Sequence, residues 1–179
     1  MNHNKPNWQP TILENDLLKI EPLLEADFNE LFKVASDPLI WEQHPASDRY
    51  KLEVFKPFFD GAITGKMAFK MVDKASNAIF GSTRYYDYQP ENSSIGIGFT
   101  FLARTYWGGK YNRPAKHLLI DYAFQFVDKV YFHIGATNVR SQLAIGKLGA
   151  VKTKEIDFET NGQLVPHIEY VIEKGSYLK

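Results

Sequence analysis

The chain has 179 residues, 44% hydrophobic and 23% charged, a balance that excludes a disordered polymer and suits one domain, 1–179, with a continuous core. Its 21 basic residues are offset by 21 acidic ones, so no basic field argues for nucleic acid or an anionic membrane. It has no cysteine, which removes disulfides, thiolate metal sites and a cysteine nucleophile together.

Residues 1–10 are polar around Trp8 and have no signal-peptide core. No apolar stretch reaches membrane-spanning length, and a cytoplasmic location is the expectation. A strand is predicted at 17–22, then a helix at 25–35 with Phe28, Leu31, Phe32 and Ala35 on one face. Residues 37–50, with Pro38 and Pro45, read as a loop carrying Trp41 and His44, and 52–63 as a second helix. Strands follow at 66–72, 78–86 and 94–102, the last two separated by a turn around Pro90. In the third of them Ile95, Ile97, Phe99 and Phe101 share a face and Gly96 and Gly98 the other, a sign of close approach by a ligand or another backbone. The strongest helical pattern is Ala115, Leu118, Leu119, Tyr122, Ala123 and Phe126, with Pro114 tolerated at its start. A short strand at 130–134, a helix at 138–148 between an Asn138 cap and a Gly149 stop, and strands at 151–158 and 165–172 joined at Asn161-Gly162 complete the chain. The class is mixed α/β (α+β), with about seven strands and four helices.

Chemistry concentrates between Phe99 and Ala115. A glycine-bearing strand runs through Arg104-Thr-Tyr-Trp-Gly-Gly-Lys-Tyr-Asn-Arg113 into a helix. Backbone N–H groups of such a loop and the positive end of the helix suit a phosphate or pyrophosphate, and Lys110 and Arg113 add charge. The pattern is not a P-loop, because no Gly-x4-Gly-Lys-Ser/Thr occurs. Further on, Asn138-Val-Arg-Ser141-Gln-Leu-Ala144-Ile145-Gly-Lys-Leu148-Gly149-Ala150 follows at a fixed distance.

Together these two segments resemble the acetyl-CoA signature of the GNAT superfamily, its RimJ/RimL-like branch most closely. Ile79-Phe-Gly81-Ser-Thr83 and Ile97-Gly98-Phe99-Thr100 resemble two of its strands. The resemblance covers nearly the whole chain and implies a GNAT-type fold and an N-acetyltransferase. Acetyl would pass from acetyl-CoA to a protein N-terminal or small-molecule amine by direct attack, without a metal. It implies a cofactor site of Phe99, Phe101, Leu102, Trp107, Gly108, Gly109, Lys110, Tyr111, Asn112, Arg113, Asn138 and Ser141, with Ser141 near the sulfur as a candidate acid and Tyr170 as another. Two positions depart from the family. Lys110 replaces the second loop glycine and is expected to grip the pyrophosphate itself. Gly96 stands where relatives often carry the glutamate that serves as or orients the base.

For the base, His44, Glu42, Asp87 and His133 are candidates by chemistry, and His44 beside Trp41 in the expected acceptor loop is placed first. Trp41 and Tyr85, with Tyr86 and Tyr88, are expected to form an acceptor wall. His117 and Asp121, four apart on the long helix, read as a surface pair rather than a catalytic motif. A non-catalytic acyl-CoA sensor is the alternative function, motivated by Gly96 and Lys110. The high aromatic content makes a homodimer possible.

Overall fold

The computed structural model describes residues 6–160 and 162–177. Eight strands form one sheet: β1 (Leu13–Glu14), β2 (Leu18–Pro22), β3 (Ala68–Asp73), β4 (Ile79–Gln89), β5 (Ser94–Leu102), β6 (Lys129–Gly135), β7 (Val151–Thr160) and β8 (Gln163–Glu173). Four helices accompany it: α1 (Phe28–Ala35), α2 (Leu52–Gly65), α3 (Asn112–Ala123) and α4 (Val139–Gly146). The predicted order is borne out. The strand beyond the expected seven is β1, two residues paired with β2, too short to carry a periodic signal.

The sheet runs β1-β2-β3-β4-β5-β6-β8-β7, and every neighbouring pair is antiparallel except β5 and β6. Each face is covered. On one, Leu18, Phe69, Phe80, Ile95, Ile97 and Val130 pack with Leu119, Ile120 and Ala123 of α3 and Ile145 of α4. On the other, Leu31 and Ala35 of α1 and Phe55 and Phe59 of α2 enclose Trp41 and Phe101. Alternation along β4 follows: Tyr85 points to the α3 side, Arg84 and Tyr86 to the α1–α2 side.

Several boundaries shift. The first helix opens as a 3-10 turn, Glu25–Asp27, before α1. α2 runs past its predicted end to Gly65 and stops at Lys66, which is left-handed at φ 50°. α3 begins three residues early, at Asn112, which places Pro114 in its first turn. The Asn138 cap forms, its side chain accepting the Ser141 N–H at 3.1 Å. Gly149 ends the helix region at φ +85°. Of the Asn161-Gly162 turn, Asn161 lies outside the described residues.

Candidate active site

The parallel pair opens the site. β5 and β6 are in register at Ser94, Ile95 and Gly96 only. From Ile97 onward the strands part, leaving one backbone edge of β5 without its neighbour. On the other edge the β4 register shifts between Ser82 and Arg84, and Phe99 sits in the bulge at φ 53°. The resulting cleft has a volume of about 830 Å³ and lies between the ends of β5 and β6, the start of α3, α4 and residues 40–45.

One end is built from backbone. Gly108 and Gly109 both stand at φ +93° with open space where a Cβ would point, so it is the torsion, not crowding, that requires glycine. Trp107 anchors this turn by donating its indole N–H to the Leu102 carbonyl at 3.0 Å. Arg140 stacks over the Trp107 ring at 4.0 Å and donates to the Ile40 carbonyl at 3.0 Å, tying α4 across the mouth. Asn112, at the head of α3, lines the cleft, and its Oδ1 is buried without a hydrogen-bond partner. An unpaired buried acceptor costs free energy that a donating ligand would recover. Phe99, Phe101, Leu102, Trp107, Gly108, Gly109, Asn112, Arg113, Asn138 and Ser141 all line the same cleft.

Lys110 and Tyr111 do not line it, which corrects their expected place in the cofactor site. The two glycines turn the chain so that Tyr111 packs outward on Phe80 and Tyr106, donating its O–H to Asp73 at 3.0 Å. Lys110 is exposed, with its ammonium 5.7 Å from the Tyr111 ring. Both brace the turn from outside.

The opposite end is built from side chains. His133, on β6, lines the cleft. Its Nδ1 lies 2.7 Å from the Tyr86 hydroxyl and its Nε2 3.0 Å from Glu169 of β8. Burial pushes the Tyr86 phenol up, so it stays protonated and donates. Burial alone would raise Glu169. Hydrogen bonds from Thr153 and His133 and the Lys154 charge outweigh it, and the carboxyl is held below its usual range. The arrangement fixes one tautomer: Nε2–H donates to Glu169 and Nδ1 accepts from Tyr86. The Tyr86 ring lies across the glycine face of β5. A Cβ on Gly96 would fall 2.5 Å from Tyr86 Cζ, and one on Gly98 2.8 Å from Cε1. The phenol thus covers the Gly96 and Gly98 face of β5.

His44 lines the cleft but is ill suited to act as base. Burial first, then the charges of Arg49 and His167, drive it down to about 3. Its Nδ1 already accepts the Ala46 N–H at 2.9 Å, and Arg49 stands 3.4 Å from Nε2. Neither nitrogen is left for a substrate proton. Trp41 lines the cleft with its indole N–H held by the Ala35 carbonyl at 2.7 Å. Tyr85 does not. It is 1% exposed on the α3 side, donating to the Leu119 carbonyl at 2.5 Å. Neighbouring strand residues face opposite ways, and Tyr86, on the opposite face of β4, does not line the cleft either but reaches it through its bond to His133.

One group escaped the sequence reading. Lys116 of α3 is 4% exposed, lines the cleft, and reaches Thr100 Oγ1 at 2.5 Å and Thr83 Oγ1 at 3.5 Å. Burial brings it down to about 7. The signal was present: Lys116 lies three, four and seven residues before Leu119, Ile120 and Ala123, within the apolar stripe.

Residues 18–151 match the family model described as Acetyltransferase (GNAT) domain. A search of curated proteins found no match. Among solved structures, a GCN5-related N-acetyltransferase from Brucella melitensis is similar at 20% identity and TM-score 0.79, over 95% of this chain and 81% of that one. An acetyltransferase of the GNAT family from Bacillus anthracis is similar at 16% identity and TM-score 0.75, over 92% and 99%. RimJ from Mycobacterium smegmatis, solved in complex with CoA-disulfide, is similar at 15% identity and TM-score 0.72, over 95% and 90%. At these identities the structures speak to the fold alone.

Proposed function

The chain belongs to the GNAT acetyltransferase family, and from that premise we propose that it is an acetyl-CoA-dependent N-acetyltransferase that delivers acetyl to an amine by direct attack. The observation that carries this reading is the splayed cleft itself, with the Gly108-Gly109 turn and the head of α3 in its lining on one side and His133 on the other. The thioester supplies an activated acyl group, and the side chains manage protons and charge around it.

The N–H groups at Gly108, Gly109 and the head of α3, with the Arg113 side chain, hold the diphosphate. Asn112 and the free edge of β5 receive the amide-bearing arm. The amine loses its proton to Tyr86, which passes its own to His133 Nδ1 as Glu169 stabilises the imidazolium. Backbone N–H groups near Phe99 to Leu102 meet the developing oxyanion, and Lys116 beside Thr100 adds positive charge from the α3 side. Ser141 stands by to protonate the departing thiol. The Tyr86–His133–Glu169 chain beside the cleft favours turnover over a purely binding role.

Calorimetric titration with acetyl-CoA, followed by thiol release on a panel of amines and peptides, tests the proposal. Binding with amine-dependent release is expected. Binding without release on any acceptor would favour a sensor, and absence of binding would remove the cleft assignment.

A further inference from the structure

Among the described residues, neither Arg49 nor Arg84 is in an ion pair. Arg84 projects from β4 on the Tyr86 side, and Arg49 from the segment just before α2. Their guanidiniums converge on one ring, with Arg49 Cζ 4.2 Å and Arg84 Cζ 4.7 Å from the centre of Phe58. Arg49 also stands 5.2 Å from Trp41, and Arg84 4.0 Å from Phe99. Trp41 and Phe99 both line the cleft.

Their polar contacts are sparse. Arg84 donates to the Phe58 carbonyl at 3.4 Å, and Arg49 stands 3.4 Å from His44 Nε2. Among the described residues no carboxylate lies within 4 Å of either, whereas Arg104 is paired with Asp37 at 2.5 Å. Asp48 acts on Arg49 only through the field of its charge. Burial lowers both guanidiniums to about 10, and the Arg49 charge further lowers Arg84. Both still remain cationic at neutral pH.

Two desolvated like charges repel one another, and aromatic faces offset that cost only in part. An anion would complete the arrangement, because planar guanidinium forks match carboxylate and phosphate oxygens. The location is also informative. Phe99, beneath Arg84, packs edge-on against Tyr86 at 5.4 Å, and Tyr86 leads to His133. The cationic pair is therefore one aromatic ring from the proton-accepting chain.

We propose that Arg49 and Arg84 form an anion subsite for the acceptor, which is therefore an amine bearing a carboxylate or phosphate a few bonds from its nitrogen. The inference rests on the acyltransferase reading of the same cleft. Thiol release is measured on β-alanine, β-alaninamide and O-phosphoethanolamine, and on peptides beginning Ala-Glu and Ala-Gln. In at least one matched set the anionic member should exceed the neutral one by about tenfold or more in kcat/KM. Arg84→Gln and Arg49→Gln should bring that ratio close to one. The preferred anion, carboxylate or phosphate, identifies the acid group.

Equal rates for anionic and neutral members in every set would overturn the proposal, as would an unchanged ratio in both variants. Calorimetry with acetyl-CoA establishes that the variants are folded. If no acceptor of either charge releases thiol, the acyltransferase reading fails instead, and the subsite is then judged by melting temperature. With CoA saturating, sodium sulfate should raise the melting temperature of the parent above a chloride control of equal ionic strength. An equal rise in Arg49→Gln and Arg84→Gln would overturn the subsite.

Discussion

At one end of the cleft the chain works through backbone, and at the other through side chains. The cradle comes from two contiguous segments, residues 107–113 and 138–141, in which the glycine torsions and the Asn138 cap set the geometry. The opposite end is lined by His133 of β6, held from behind by Tyr86 of β4 and Glu169 of β8. A backbone cradle tolerates change in most side chains but not in torsion. A side-chain constellation depends on each member. The two ends should therefore fail differently when altered.

The sharpest separation comes from His133→Gln. It should lower kcat/KM by about 10²–10⁴-fold, the usual worth of general acid–base catalysis. Acetyl-CoA affinity by calorimetry should stay within twofold of the parent, a difference of about 0.4 kcal/mol. Equal damage to both would erase the distinction between the ends.

Lys116 lies between these regions, and its burial predicts a pH-dependent stability. Its folded pKa, about 7, lies below the ordinary 10.5. Between those values the unfolded chain binds more protons, so stability rises with pH across that window by up to about 1.4 kcal/mol per unit. Below pH 7 the full cost of the buried charge is present. Lys116→Met should therefore stabilise the protein most at pH 6–7, by about 1–4 kcal/mol. Its advantage should shrink steadily toward pH 10, as followed by denaturant unfolding. A constant difference across pH would mean that the ammonium is not desolvated in the folded state.

At the backbone end, Gly108→Val should weaken acetyl-CoA binding by about tenfold, from the 1–2 kcal/mol needed to hold an L-residue in left-handed backbone. The fold should survive, since no atom lies within 4 Å of the added Cβ. The smallest effect is expected for Ser141→Ala. A thiol leaving group with a pKa near that of cysteine, about 8.5, needs little help, so kcat should fall by less than about tenfold.

The same contrast explains what could be read before the structure. The cradle was legible because Trp107-Gly-Gly and Asn138-x-x-Ser141 are local patterns whose conformations follow from neighbouring residues. The element order was legible through the periodicities of 2 and 3.6. The side-chain end was not, because it depends on register. Tyr85 and Tyr86 are adjacent and chemically alike, and only the strand pairing decides which turns to Leu119 and which to His133. His133 was one of four candidates, and nothing in the sequence joined it to Glu169, which β6–β8 pairing sets directly opposite. His44 looked suitable until its burial and the nearby Arg49 charge were seen. Lys110 and Tyr111 belonged to the right loop but turned to its outer side.

The most direct test of the account is the pH dependence of kcat/KM for amine-dependent thiol release at saturating acetyl-CoA, in the parent and in His133→Gln. The account predicts a large fall in rate in the variant together with a changed pH profile, because the chain from Tyr86 to Glu169 runs through His133. Superimposable profiles with similar rates would contradict it and move the base elsewhere in the cleft.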